Sequence, residues 1–518
     1  MKILCLCLLL FQIAFSSLAQ DWIRYYGYGS QPHSSYCTEH YDKGYLLAGD
    51  INSYKYGWLI KTDINGNELW NIKIGDGINQ TSISNVENTM DNGLVLCGNT
   101  SIYNTPHADP FIIKLNSCGV IEWCQVLKYD NTGDFGIRVK QTMDGGYILC
   151  AILYGDNPNN IVHLFKFDSG GELFWHKIYN GDSLVHSEFI RDLSIDQQFF
   201  LLTGDCYYPN WLKPYYIQTD TSGNETWILA YSQHTGSGYV GDAWATVRDI
   251  HGNYYSAGSR NDTYPELIKF SAQGQEMMNV DLFPTATSGG AGTILALNDT
   301  NYVLCAEWAV GSTVYLGILK TDTLGNIKDI NYLPNPGNVI ISYSAKTFDN
   351  KVLLTVTDYV GGVDSRIELF KFNSDLEYDS IYTRHFTYDS LCPHSIVSDT
   401  IMPNCGVLVG VDEPLNNPET AVLKVFPNPA KQKITVEFPQ YLVVKTGQSS
   451  FGSTTVYHHW KSTTLEVYDL SGKNIFEKEI IRAQNTLELN VSGWPSGMYY
   501  FRLVYNKQTV AGAKGVVE

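Results

Sequence analysis

Short apolar runs of four to six residues recur along most of the chain, each bounded by polar residues and glycine. The clearest run is Trp58-Leu-Ile-Lys-Thr-Asp-Ile-Asn-Gly-Asn-Glu-Leu-Trp70. Partners run from Phe111 to Trp123, Leu164 to Trp175 and Tyr216 to Trp227, with weaker copies at Leu267 to Met278, Ile318 to Ile330 and Leu369 to Ile381. The turn glycine falls at 66, 119, 171, 223, 274 and 325, with Leu376 in the seventh place, in steps of 51 to 53 residues. The alternation around Leu-Ile-Lys-Thr has the period of a strand with one buried face. The Asp-x-x-Gly turn supplies the positive φ that a tight hairpin requires. A second apolar run precedes each copy, as in Gly44-Tyr-Leu-Leu-Ala-Gly-Asp50 and Asn92-Gly-Leu-Val-Leu-Cys-Gly98, and a third apolar stretch precedes that. No useful length of chain has the 3.6-residue period of a helix.

Each unit of about 51 residues is therefore two hairpins, or four short strands. Such a unit cannot bury its apolar face alone, and units of this length with four strands predict a β-propeller. Seven copies predict seven blades over residues 21–385. The recurring tryptophan begins the strand after the turn and is expected to pack between neighbouring blades. Asp21-Trp22-Ile-Arg-Tyr-Tyr-Gly27 looks like one further tryptophan strand, placed to close the ring by completing the last blade. The seventh copy also carries a stretch near Tyr378 to Arg384 that reads as its own final strand. Residues from Cys392 to Val411 could supply others, so eight blades is the alternative.

Composition narrows the partners. The chain has 35 basic and 53 acidic residues and a net charge of −18. That excess disfavours nucleic acid and anionic membrane surfaces, which need a basic face. Lys2, the apolar stretch Ile3 to Phe15 and the small residues Ser17-Leu18-Ala19 read as a signal peptide over 1–19, cleaved before Gln20 or Asp21. The stretch is shorter than the roughly 20 residues of a membrane span. No cysteine stands just after the cut to carry a lipid, since Cys5 and Cys7 come too early. No later segment reads as transmembrane, so the mature chain is expected to be soluble. Cys97, Cys150 and Cys305 occupy one equivalent strand position, filled by Ala48 in the first copy, and are expected to be buried core thiols. Cys392 and Cys405 bracket a short segment after the repeats and could close a small loop as a disulfide. Cys118 and Cys124 flank one turn and could also pair.

The repeats stop near 385, and a polar, proline-containing linker reaches 420. From 421 to 518 the pattern changes to alternating strands between Gly/Pro turns, which predicts a small Ig-like β-sandwich. Pro427-Asn428-Pro429, the segment Tyr468-Asp469-Leu-Ser-Gly472 and the segment Pro495-Ser-Gly497-Met-Tyr499-Tyr follow one another in that region. In this order they resemble the C-terminal sorting domain of type IX secretion cargo, a family of the Bacteroidetes. The resemblance implies passage through the periplasm, handling by the type IX secretion machinery, and release from the cell or attachment to its surface. The stretch Gln440 to Lys461 is longer than the usual link in that family, and the terminal Glu518 stands where a basic residue is usual.

Chemistry is sparse. The Asp-x-x-Gly turns differ in spacing from the Asp-box of sialidases. Asp63, Asn65 and Asn67 lack the closing acid of a calcium loop. No nucleophile elbow, zinc motif, phosphate loop or other cofactor motif appears. The loops that differ between copies are the better candidates. One runs from Asp205 through Tyr207, Tyr208 and Trp211 to Tyr216, another from Gln233 through Tyr239 to Trp244, and a third holds Trp308. These aromatics could stack on sugar rings, or they could cap the blades. The expectation is a non-catalytic binding or adhesion propeller with a glycan or protein ligand. The alternatives are a glycan-active hydrolase or lyase with its site at the central opening, and a structural surface-layer component.

Overall fold

The computed structural model describes residues 22–103, 107–128, 133–154, 160–179, 186–207, 212–230, 241–260, 264–360, 364–409, 423–438, 443–444, 457–458, 463–480, 486–505 and 508–518. The expected leader, residues 1–19, lies outside them. By their contacts the residues fall into two compact units, Met1–Val411 and Asp412–Glu518. The described residues form strands and turns and no helix.

In the first unit the described strands form seven antiparallel sheets of four strands each, two of them extended by a fifth. We number them as blades 1 to 7, spanning 33–74, 81–128, 135–179, 186–230, 241–281, 288–332 and 339–372. The first strand of each blade touches the blade before it, and the first strand of blade 1 packs on blade 7, so the sheets make a closed ring.

The tryptophan and turn glycine shared by the repeats are the ones that join blades. Trp123, Trp175 and Trp227 lie directly against Gly171, Gly223 and Gly274 of the next blade, where a Cβ would collide with the indole at the first two and crowd it at the third. Those glycines also have φ between +75° and +84°, so one residue meets both a backbone and a packing demand. In the first three blades the strand lysine is buried and reaches back to the aspartate of its own blade's first hairpin. Lys61 pairs with Asp42 at 2.5 Å, Lys114 with Asp91 at 2.8 Å and Lys166 with Asp144 at 2.9 Å. The ammonium thus ties the inner hairpin to the outer one. Cys97, Cys150 and Cys305 are buried free thiols as expected.

Closure uses the same contact as the other joints. Strand Ile23–Tyr26 pairs antiparallel with the last strand of blade 7, Ile23 opposite Phe370. Trp22, fully buried, then lies against Gly66 of blade 1. The stretch Tyr378 to Arg384 is not a strand of blade 7, because that edge is already taken. It crosses instead to blade 1, where Tyr382 and the Asn65 side chain exchange two hydrogen bonds of 2.8 and 2.9 Å. The chain then runs along the outer edges of two blades. Asp399–Ile401 adds in parallel to blade 1 and Gly406–Val409 to blade 2. These strands extend existing blades, and no eighth sheet is built from them among the described residues.

The cysteine pairing differs from expectation. Cys392 is bonded to Cys118 and Cys405 to Cys124, with Cα separations of 5.4 and 4.6 Å. Neither Cys392–Cys405 nor Cys118–Cys124 forms, because the tail lies alongside blade 2 instead of folding on itself. Residues 376–409 are therefore a strap, hydrogen-bonded across the joint between blades 7 and 1 and covalently fixed to blade 2.

Histidines that stand singly in the sequence meet in blade 3. His163 and His176 lie on adjacent strands with Nδ1 and Nε2 2.7 Å apart, and His176 stacks on Phe165 at 4.2 Å. Burial pushes the His176 imidazole down to about 3. A group held neutral below its unfolded pKa stabilises the fold above about 6.5, and that stability is lost as pH falls toward 3. Between pH 6.5 and 4.5 this one residue should remove about 2–3 kcal/mol. The acid-dependent loss should be smaller by that amount in His176→Phe, as read from urea unfolding at the two pH values.

The second unit has a three-stranded sheet of Lys424–Phe426, Lys433–Glu437 and Thr486–Asn490. A four-stranded sheet comprises Asn474–Ile480, Thr463–Asp469, Gly497–Tyr505 and Gln508–Val517. Ile434, Val436, Leu465, Val467, Leu489, Phe501 and Leu503 are buried between them, as alternating strands of a sandwich require. The Pro-Asn-Pro segment has cis bonds before both prolines. Its Asn428 side chain accepts from Val516 N at 2.8 Å and donates to Lys514 O at 3.1 Å, which holds the terminal strand in place. Asp469 and Gly472 form the turn after Tyr468, with Asp469 Oδ1 accepting from Ser471 and Lys473. Tyr499 is buried and donates to the Pro495 carbonyl at 2.5 Å, with Gly497 starting its strand.

Candidate functional site

The first strands of the blades surround the ring axis. They are His33–Glu39, Thr81–Asn88, Phe135–Gln141, His186–Ile195, Gly241–Arg248, Ser288–Ala296 and Val339–Lys346. Every one of the seven breaks register with its neighbour at the same level. One residue is left out of the ladder in each: Ser35, Ser84, Ile137, Arg191, Trp244, Gly292 and Ser342. A bulge of this kind re-aims a side chain and bends the strand. It also explains the glycine of the second strand. At Gly49, Gly98, Gly204 and Gly258 a Cβ would collide with a carbonyl oxygen of the bulged strand opposite.

The bulges divide the axial space into two. The upper end is the one at which the inner strands begin. There a cavity of about 420 Å³ is lined by Asp242, Trp244, Ser259, Gly290, Glu307 and Ile340, among others. The inner strand of blade 6 opens Ser288-Gly-Gly-Ala-Gly292, so little side chain fills that wall. Glycine inside a strand marks a place where something approaches the backbone closely. The Arg191 guanidinium sits 3.9 Å from the Trp244 ring centroid and donates to Asp205 at 2.6 Å. Burial pushes the Asp205 carboxyl up to about 6, with Arg191 opposing and Asp242 adding to the rise. Asp242 accepts from Ser259 N and Oγ at 2.9 and 2.7 Å, and Glu307 accepts from Gly337 N at 3.1 Å. The face at the mouth is acidic and aromatic.

At and below the bulges a plug of side chains from five blades crosses the axis. Tyr36 and Tyr343 stack at 3.8 Å, with Arg138 over both rings. Lys140 pairs with Glu87, and Arg138 lies 3.6 Å from Asp192. Burial opposes the charge on Lys140, but Glu87 and Tyr343 outweigh it and hold the ammonium protonated. Each acid here faces a base, so the plug is charge-balanced.

The loop residues singled out by sequence divide three ways. Tyr207 ends the second strand of blade 4 at the upper end and is 44% exposed. Tyr208, Trp211 and Tyr239 lie outside the described residues. Trp308 is not available as a stacking platform: it is 4% exposed and packs at 3.9 Å on Phe283, as a blade cap. Trp244, at the end of a loop noted in the sequence, lines the cavity instead. The sequence signals missed were the Gly-Gly-Ala-Gly run and the extra residue in each inner strand. The Asp63 carboxylate accepts from Asn65 N and Asn67 N, both at 2.8 Å, as a hairpin turn. No helix of the described residues is long and apolar enough to cross a membrane.

Among solved structures, the chain resembles puromycin hydrolase at 9% identity, covering 79% of this chain and 58% of that one, with a TM-score of 0.44. It resembles prolyl oligopeptidase B from Galerina marginata at 9% identity, covering 80% and 57%, with a TM-score of 0.41. It also resembles an endo-arabinase from Bacteroides thetaiotaomicron VPI-5482 at 12% identity, covering 47% and 92%, with a TM-score of 0.30. Likenesses this distant say nothing about the activity of this chain. No curated protein matches the sequence. Residues 424–518 match the family described as the secretion system C-terminal sorting domain. That region is the sandwich whose Pro-Asn-Pro, Tyr-Asp and Pro-Ser-Gly segments build its turns. The C-terminal unit is thus a type IX secretion sorting domain, and the protein that carries it is exported to the cell surface or released.

Proposed function

We propose that the exported ring is a non-catalytic binding module that takes a neutral, hydroxyl-rich ligand, a glycan, in its upper cavity. The observation that carries this reading is the wall of that cavity. Trp244 offers an indole, Asp242 and Glu307 offer carboxylate acceptors, and the glycine strand of blade 6 leaves room for a ring to lie flat. Indole faces stack on apolar sugar faces, and carboxylates accept from sugar hydroxyls. A cavity of this size suits one or two sugar units. Tyr207 and the loops beside it would extend the contact.

Binding is favoured over hydrolysis by the state of the acids near the axis. Asp242, Glu307 and Asp205 are each engaged by a donor, and Asp192 and Glu87 face Arg138 and Lys140. General acid–base cleavage of a glycoside needs two carboxyl groups free to act on either side of the bond. Delivery would follow the expected order: leader 1–19 removed at the inner membrane, propeller and strap over 21–411, linker to about 420, and sorting domain beyond it. Trp244→Ala should abolish binding to whichever immobilised glycan the intact protein retains, with the unfolding midpoint changed by less than about 3 °C. Retention unchanged in Trp244→Ala, or turnover of a bound polysaccharide, would overturn the reading.

A further inference from the structure

The lower half of the axis holds a second cavity, of about 410 Å³, with different chemistry. Its wall includes Lys140, Asp192, Ser194, Arg248, Thr293 and Ser344. Where the upper wall is acidic, this one carries two cations, Lys140 and Arg248, beside the Asp192 carboxylate. Lys140 gives two contacts to Glu87 and the Tyr36 hydroxyl, which leaves one ammonium proton. Arg248 bonds the Gly252 carbonyl and the Asp196 carboxylate, which leaves further N–H groups of its fork.

The hydroxyls add a second, independent sign. Thr293 is 2% exposed and Ser344 is 7% exposed. Among the described residues neither Thr293 Oγ1 nor Ser344 Oγ has a hydrogen-bond partner. Buried hydroxyls are nearly always satisfied, because an unpaired one loses its hydration without return. Two such groups on one cavity wall, in neighbouring blades, point to a ligand that supplies the missing partners. The strands on either side hold both residues rigidly, so the site is built before anything arrives.

We propose that the lower cavity binds a small hydroxylated carboxylate of sugar-acid size. Its carboxylate would lie toward Lys140 and its hydroxyls toward Thr293 and Ser344. The volume suits one hexuronate. The two cavities share no lining residue, so the assignment does not rest on the upper cavity holding a glycan.

The test uses the mature full-length protein, with glucuronate, glucose and sulfate as probes, each up to about 10 mM, in the range of weak small-molecule sites. Binding is read by calorimetry and by the shift of the unfolding midpoint. Glucuronate should bind and raise the midpoint, while glucose and sulfate should not. Thr293→Val and Ser344→Ala should each weaken glucuronate at least tenfold while leaving the unliganded midpoint equal or higher, since each removes an orphaned hydroxyl. Trp244→Ala should leave glucuronate binding unchanged. The proposal is overturned if glucuronate gives no heat and no shift, the result expected when water alone fills the cavity. Sulfate binding as well as glucuronate would overturn the sugar-acid class. Loss of glucuronate binding in Trp244→Ala but not in Thr293→Val would place the acid in the upper cavity and overturn the site.

Discussion

Serine at both Cys118 and Cys124 should lower the unfolding free energy of the propeller by up to about 9 kcal/mol, the larger part coming from the second bond lost. The bonds close loops of 274 and 281 residues. In the loop-entropy picture a loop of that length constrains the unfolded chain by about 6 kcal/mol. The two are not equal partners. Once Cys118–Cys392 exists, Cys124–Cys405 closes only the short path through 118–124 and 392–405, worth about 3 kcal/mol. The single variant Cys124→Ser should therefore be clearly milder than the double. Denaturant unfolding under non-reducing conditions measures both. Reduction should also expose the strap to protease ahead of the blades, because its remaining hold is two short parallel strands and a few side-chain bonds. Equal effects of the single and double variants would contradict the pairing described here.

Trp22→Ala should destabilise the ring by about 4 kcal/mol, the range for truncating a buried tryptophan. For a unit of this size that corresponds to a fall of about 5 °C in the midpoint. Trp22 is fully buried and sits against Gly66 as its counterparts sit against Gly171, Gly223 and Gly274. The comparison that isolates closure is Trp175→Ala, an internal joint of the same kind. Both remove an indole, but only Trp22→Ala weakens the one joint where the two ends of the blade array meet. Scanning calorimetry should show the greater loss of cooperativity for Trp22→Ala. A change of less than 1 °C would mean that the strap alone holds the ring shut.

What could be read in the sequence follows from what every joint needs. The turn glycine and the tryptophan recur because each blade meets its neighbour in the same way, and the strand lysine because it ties the hairpins of a blade together, so a fixed period exposes them. Trp22 was legible for the same reason. The bulge ring was not, since its seven positions hold serine, isoleucine, arginine, tryptophan and glycine, with nothing shared to align. Its trace lay on the facing strand, in the glycines at 49, 98, 204 and 258. The disulfides were illegible because four cysteines permit three pairings, and the choice depends on which way the tail turns after Phe372. Trp308 and Trp244 look alike in sequence. Phe283 covers the first, and the empty strand of blade 6 uncovers the second.

The pairing of Ile23 with Phe370 joins residues 347 positions apart (370 − 23). The earliest strand of the chain thus has no partner until the last blade exists. Folding of such non-local topologies is slow, because the chain must meet a distant segment before that contact gives any return. Until then the blades form an open arc with an unsatisfied edge at each end. The closed ring should therefore form only once the chain through residue 372 is available.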